Sequence, residues 1–170
     1  MKSFNTRIGR PFRILGTLLI LAATSLSAQA ENLLMSRTTL PFEQARAVLM
    51  SAIEEHGYTI AHEQKCDGGL GDFGYKTDLY RLFFFGKKDE IRALTAKYPQ
   101  LIPYLPLKIA IIAEDKESII SVVNPDTLEK LFPEPELEIQ FARWKSDFES
   151  ILTDVRKFQM LAETRAAAAK

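Results

Sequence analysis

Three side chains in this 170-residue sequence, His56, His62 and Cys66, are the chain's only imidazole and thiol groups, spaced H-x5-H-x3-C. With Asp67 beside them, they are of the types that hold copper or zinc. The elements that must position them differ. His56 falls at a helix C-terminus, where a cationic imidazole is stabilised by the helix dipole in any case. His62 falls in an extended run and Cys66 in a glycine-rich loop. A metal site needs satisfied geometry as well as composition. The set therefore defines one expectation, a transition-metal or redox-linked accessory protein, against the plainer reading of three unrelated side chains. A lone cysteine also rules out an intramolecular disulfide and leaves an intermolecular link as its redox chemistry.

Other chemical signals are weaker. Gly69-Leu70-Gly71-Asp72-Phe73-Gly74 matches G-x-G-x-x-G, but that motif binds a dinucleotide only where it joins a strand directly to a helix N-terminus. Here aromatic, strand-like residues follow, so the segment reads as a loop. Asp67, Asp72 and Asp78 lack the spacing of a calcium loop. No serine sits in a G-x-S-x-G setting, and no base stands at fixed spacing from Cys66. No catalytic set emerges, and the expectation is a non-enzymatic protein without a resident cofactor. Tyr75, Tyr80, Phe83, Phe84, Phe85 and Tyr98 offer an apolar ligand or packing surface. Because side chains alternate along a strand, Phe83, Phe84 and Phe85 must face both of its sides. The ordinary expectation is burial on both sides within the domain.

The positioning elements are legible from periodicity. Residues 33–39 read as a strand, and Pro41 opens a helix whose Phe42, Ala45, Val48, Leu49, Ala52 and Ile53 form one apolar stripe ending at Gly57. Residues 58–64 are extended, 65–78 form the glycine loop, and 80–85 are an aromatic strand. A helix spans about residues 88–98, with Asp89 and Glu90 in its first turn. Pro99, Pro103 and Pro106 predict an irregular segment. Residues 107–113 and 118–123, separated by Glu114-Asp115-Lys116-Glu117, predict an antiparallel hairpin that Asn124-Pro125 ends. A helical turn follows over 126–132. Leu137, Phe141, Trp144, Phe148, Ile151, Val155, Phe158 and Ala162 alternate steps of four and three, the seam of one long amphipathic helix. Docking within the domain is expected for Leu137 to Ile151, with the Val155–Phe158 end available to a second chain.

The N-terminus carries a different kind of signal. Lys2, Arg7, Arg10 and Arg13 precede an apolar run from Ile14 to Leu26, which ends in Ser27-Ala28-Gln29-Ala30. A basic start, a short apolar core and an A-x-A end form a secretory signal. The core is too short to cross a hydrocarbon layer of about 30 Å. Sec-type cleavage after Ala30, with the protein periplasmic or secreted, is expected. Removal of residues 1–30 leaves 18 basic against 22 acidic residues. That acidic balance excludes nucleic acid and a polybasic membrane anchor as partners.

Taken together, Phe42 to Tyr58 (FEQARAVLMSAIEEHGY), Pro99 to Ile109 (PQLIPYLPLKI) and Ser121 to Pro125 (SVVNP) resemble the DUF302 family, small bacterial and archaeal proteins of uncharacterised function. In that family the segments are a helix ending in Gly-Phe, a Leu-Pro-Cys strand start and a strand ending in a polar residue plus proline. The resemblance covers roughly residues 35–132. It implies an α+β fold, a curved antiparallel sheet of about five strands with helices on one face, and self-association as a homodimer. Family members commonly carry a Cys-Asn-Pro and a cysteine after Leu-Pro. Here Gly86-Lys87-Lys88 and Leu107 stand there, so thiol or metal chemistry of those cysteines does not carry over. The chain thus divides into a signal at 1–30, an α+β domain at 31–135 and a C-terminal helix and tail at 136–170. The functional expectation is an exported binding or accessory module for a protein or a small apolar ligand.

Overall fold

A computed structural model of the chain describes residues 32–66, 73–74 and 79–168. The signal segment, Tyr75, Asp67, Asp72, Asp78 and most of the glycine loop lie outside the described residues. The elements in chain order are β1 (Leu33–Thr38), α1 (Phe42–Glu55), β2 (Thr59–Lys65), β3 (Tyr80–Gly86), α2 (Lys88–Lys97), a 3-10 helix (Pro99–Tyr104), β4 (Leu107–Glu114), β5 (Glu117–Val123), α3 (Asp126–Glu129) and α4 (Pro135–Ala168). The strands form one sheet in the order β1-β5-β4-β3-β2, with every neighbouring pair antiparallel. The fold is α+β with a long C-terminal helix.

One face of the sheet is buried. It presents Ser36 and Thr38 from β1, Ile120 and Val122 from β5, Leu107, Ile109 and Ile111 from β4, and Arg81, Phe83 and Phe85 from β3. Helix α1 adds Ala45, Leu49, Ala52 and Ile53, and α4 adds its seam. Helix α1 stops as expected at Gly57, whose φ of +77° no side-chain-bearing residue adopts cheaply. The Tyr58 N–H reaches back to the Ile53 carbonyl and the Gly57 N–H to that of Glu54, a Schellman closure. Gly86 is needed for a different reason. A β-carbon there would lie 2.1 Å from Ile91 Cδ1, so glycine lets α2 turn back tightly against the end of β3.

Several expectations need correction. The proline-rich segment is ordered as a 3-10 helix over Pro99–Tyr104, because Pro99 suits a first helical turn and the Leu105 N–H bonds to the Ile102 carbonyl. The hairpin turn tightens to Asp115-Lys116, since Glu114 pairs with Glu117 and Asp115 accepts a φ of +54°. Helix α3 is shorter than the turn expected over 126–132, ending at Glu129. Phe84 is not covered on its side of β3. It stays half-buried while Phe83 and Phe85 are fully enclosed, because the core forms on one face of the sheet only. Val155 is not available to a second chain: it is completely buried within this one, whereas Phe158 is exposed.

Candidate functional site

The residues singled out as metal donors are placed in separate settings. His56, the α1 C-cap, points its Nε2 at Asp154 Oδ2 on α4, 3.0 Å away. This contact holds the Asp154 carboxyl below its ordinary range. His62 lies on β2 beside Phe84, with ring centroids 5.9 Å apart. Cys66, just past β2, directs its Sγ at the Gln64 carbonyl at 3.8 Å. Among the described residues no three His, Cys, Asp or Glu side chains gather where they could hold a metal ion. The aromatic set also divides. Phe83 and Phe85 join the core, where Phe85 meets Tyr58 and Phe148 edge-on at 5.3 and 5.9 Å. Tyr80 and Phe84 lie on the opposite side of β3. Tyr98 follows α2 and donates to Glu136 Oε2 at 2.9 Å. Tyr75 is outside the described residues.

A cavity of about 240 Å³ opens at the end of the sheet where β4 begins and β5 ends. The 3-10 helix contributes Pro103 and Tyr104, β4 Leu107 and Lys108, and β5 Val122 and Val123. Pro125, Thr127, Leu128 and Leu131 close a second side, and the α4 seam residues Trp144 and Phe148 complete the wall. Each contributor has a local cause. The Asn124 side chain accepts from the Asp126 N–H at 3.1 Å, which turns the chain sharply out of β5 into α3. Lys145 on α4 bonds to Asp126 and ties α3 down. Tyr104 packs edge-on against Phe132, centroids 5.4 Å apart. Tyr104, Val123 and Leu131 are large apolar side chains left exposed beside this opening.

Trp144 is locked in place from behind. Its indole N–H donates to Glu90 Oε1 on α2 at 2.9 Å. Arg143 also donates to Glu90, and to Asp147 Oδ2 at 2.9 Å. The Tyr58 hydroxyl donates to the same Asp147 oxygen at 2.5 Å, and burial together with that carboxylate raises the phenol well above its ordinary pKa. Tyr58 therefore stays protonated as a fixed donor. The Lys87 ammonium sits 4.5 Å from the Tyr58 ring centroid, a cation–π contact that adds to this polar network.

Among the described residues of the cavity wall, Lys108 alone is charged. Its ammonium lies 5.8 Å from the Phe84 ring centroid, so its charge is displaced toward the sheet's open side and its stem is free to contribute apolar wall. The Thr127 hydroxyl is occupied, donating to the Asn124 carbonyl at 2.7 Å. The wall thus offers shape and apolar contact, without an acid–base pair. Of these residues the sequence marks Trp144 and Phe148 as packing, Pro103 and Pro125 as chain breaks, and Leu107 as standing where the family carries a cysteine. The others carry no shared spacing.

The DUF302 family model, described as a domain of unknown function, matches residues 35–155. It extends past the expected limit near 132 and ends at Val155, the last completely buried residue of the α4 seam. Among curated proteins the chain finds no match. Among solved structures it is similar to an uncharacterised conserved DUF302 protein from Bacillus stearothermophilus, at 13% identity and a TM-score of 0.64. That similarity covers 72% of this chain and 97% of the other, and at such identity it speaks for the fold alone. With the family model spanning well over half of its length, the chain belongs to the DUF302 family.

Proposed function

We propose that this DUF302 protein is an exported, non-enzymatic module that binds a small apolar molecule in the cavity beside Trp144. The observation that carries the reading is the cavity itself: about 240 Å³, apolar on nearly every side, with buried Leu107, Val122, Leu128, Trp144 and Phe148 in its wall. A closed apolar cavity of ~150 Å³ is already enough to hold benzene, and drug-sized sites begin at about 300 Å³. The occupant therefore has the size of a single ring or a short alkyl chain. Exposed Tyr104, Val123 and Leu131 would lose water contact when it enters, which adds to the driving force. Export is supported by the basic, apolar and small-residue order of residues 1–30.

Trp144 is the chain's single tryptophan, so its fluorescence reports the site directly. Titration with toluene, hexanol and hexanoate should give a saturable emission change for at least one probe. A Leu128→Phe variant, which fills the cavity, should abolish it while unfolding as cooperatively as the parent. Absence of saturation for every probe up to its solubility limit would overturn the reading.

A further inference from the structure

The cavity beside Trp144 opens where the sheet itself divides. Strands β4 and β5 pair from their hairpin as far as Ala110 and Ser121, and among the described residues no pairing between them continues past that point. Each strand nevertheless runs on. β4 stays on β3 as far as Leu107 opposite Phe85, and β5 stays on β1 as far as Val123 opposite Leu33. The start of β4 and the end of β5 therefore line a fork. Side chains alternate along each strand, so Leu107 and Val122 are buried on the core side of the fork, whereas Lys108 and Val123 stand on its open side. All four line the cavity. Its two ends are consequently unlike. Buried Trp144 and Phe148 close the inner end, and the outer end carries a half-buried lysine beside a valine that is 54% exposed.

We infer, resting on the role proposed above for this cavity, that its occupant is a small carboxylic acid whose apolar tail lies against Trp144 and whose carboxylate meets Lys108 at the mouth. Among the described residues Lys108 has no carboxylate partner; its contact is the face of Phe84, 5.8 Å to the ring centroid. The flexible four-carbon stem lets the ammonium swing from that ring to the mouth. It then exchanges a cation–π contact at a partly exposed site for a charge-assisted hydrogen bond, the stronger of the two. Negative charge near the wall is already matched. Asp126, between wall residues Pro125 and Thr127, bonds to Lys145, and the charge of Glu129 also acts on that ammonium. An anion at the mouth therefore meets Lys108 without a bare carboxylate beside it. One ammonium matches one negative charge, which favours a carboxylate over a doubly charged phosphate monoester. Deeper in the wall the Thr127 hydroxyl donates to the Asn124 carbonyl and the Trp144 indole to Glu90. The ligand's polar head is thus held at the mouth, with its remaining lone pairs in water. Since ~150 Å³ already accepts benzene, the cavity's 240 Å³ takes an alkyl or aryl tail of about six carbons.

Hexanoate, hexanol and hexylammonium carry three different heads on one tail, and titration of the chain as the cell produces it, followed by tryptophan emission at neutral pH, compares them. The expected order of affinity is hexanoate, hexanol, hexylammonium, with about tenfold between first and last. Lys108→Met keeps the apolar stem and removes the charge, and should lower the ratio of hexanoate to hexanol affinity about fivefold. Lys108→Glu should reverse the order, placing hexylammonium above hexanoate. Both substitutions lie on the open side of the sheet, and cooperative unfolding in denaturant checks that each variant is folded. Saturation by hexanol with hexanoate no tighter would overturn the inference and leave the apolar site standing. Saturation by none of the three would overturn both. An order unchanged by Lys108→Met and Lys108→Glu would remove Lys108 from the site and the inference with it.

Discussion

Charged side chains on the covered side of the sheet are held by specific partners. Glu63 on β2 accepts from Arg46 Nε at 2.7 Å and from Arg46 Nη2, and Arg81 Nε lies 3.6 Å away. These contacts, the Arg46 hydrogen bonds first, lower the Glu63 carboxyl below its ordinary value of 4.5. The folded state then binds this proton more weakly than the unfolded state does. The associated stability is fully present above about pH 4.5 and is lost as pH falls through the lowered folded value. Both side chains are about a quarter exposed, so screening keeps the effect near 1 kcal/mol. Glu63→Gln should therefore lower stability at pH 7 by roughly that amount and flatten the acid limb. Urea unfolding at pH 7 and pH 3 measures both, and an unchanged slope between those pH values would remove Glu63 from the account.

At the scale of elements, α4 separates what periodicity reveals from what topology creates. Its four-three seam was legible because one face of a helix must be buried, and Leu137 through Ile151 are buried as expected. The end of that burial was not legible, since spacing alone cannot show where the rest of the domain stops. Val155 is 0% exposed, whereas Phe158 is 41% exposed over the α1 groove of Ala47, Val48 and Ser51. The cavity was illegible for a stronger reason. Its walls come from the 3-10 helix, two strands, α3 and α4, which only the order β1-β5-β4-β3-β2 and the fold of α4 bring together. Spacing is silent in the same way about His62 and Cys66, which lie close in sequence but take strand and strand-end positions with different neighbours. Val155→Ala should cost about 2 kcal/mol from lost burial and cavity formation. Phe158→Ala should cost less than about 1 kcal/mol despite its larger side chain. Denaturant unfolding of the two variants decides it, and the reverse order would mean that the helix end is packed differently.

For the whole molecule, the proposed export and the folding of the sheet would have to occur in a definite order. Expected cleavage after Ala30 leaves Glu31 and then Asn32, whose carbonyl already accepts from the Asn124 N–H at 2.9 Å. The next residue, Leu33, pairs with Val123 across the edge of the sheet. Once β1 has docked, a single residue separates the scissile bond from a hydrogen-bonded strand. A peptidase needs several residues extended on each side of the bond it cuts, so docked β1 should shield the site. Yet β1 closes against β5, some 85 positions later in the chain, and contacts of such separation form late. Processing should therefore precede completion of the sheet, on a chain delivered unfolded. The prediction has two parts. The N-terminus of the exported protein should be Glu31 by direct sequencing. Full-length protein refolded before exposure to signal peptidase should be cut at least tenfold more slowly than the same protein held unfolded or presented during translocation. Equal rates would show that β1 leaves the sheet readily or that cleavage falls further upstream; an N-terminus still at Met1 would remove the export reading altogether.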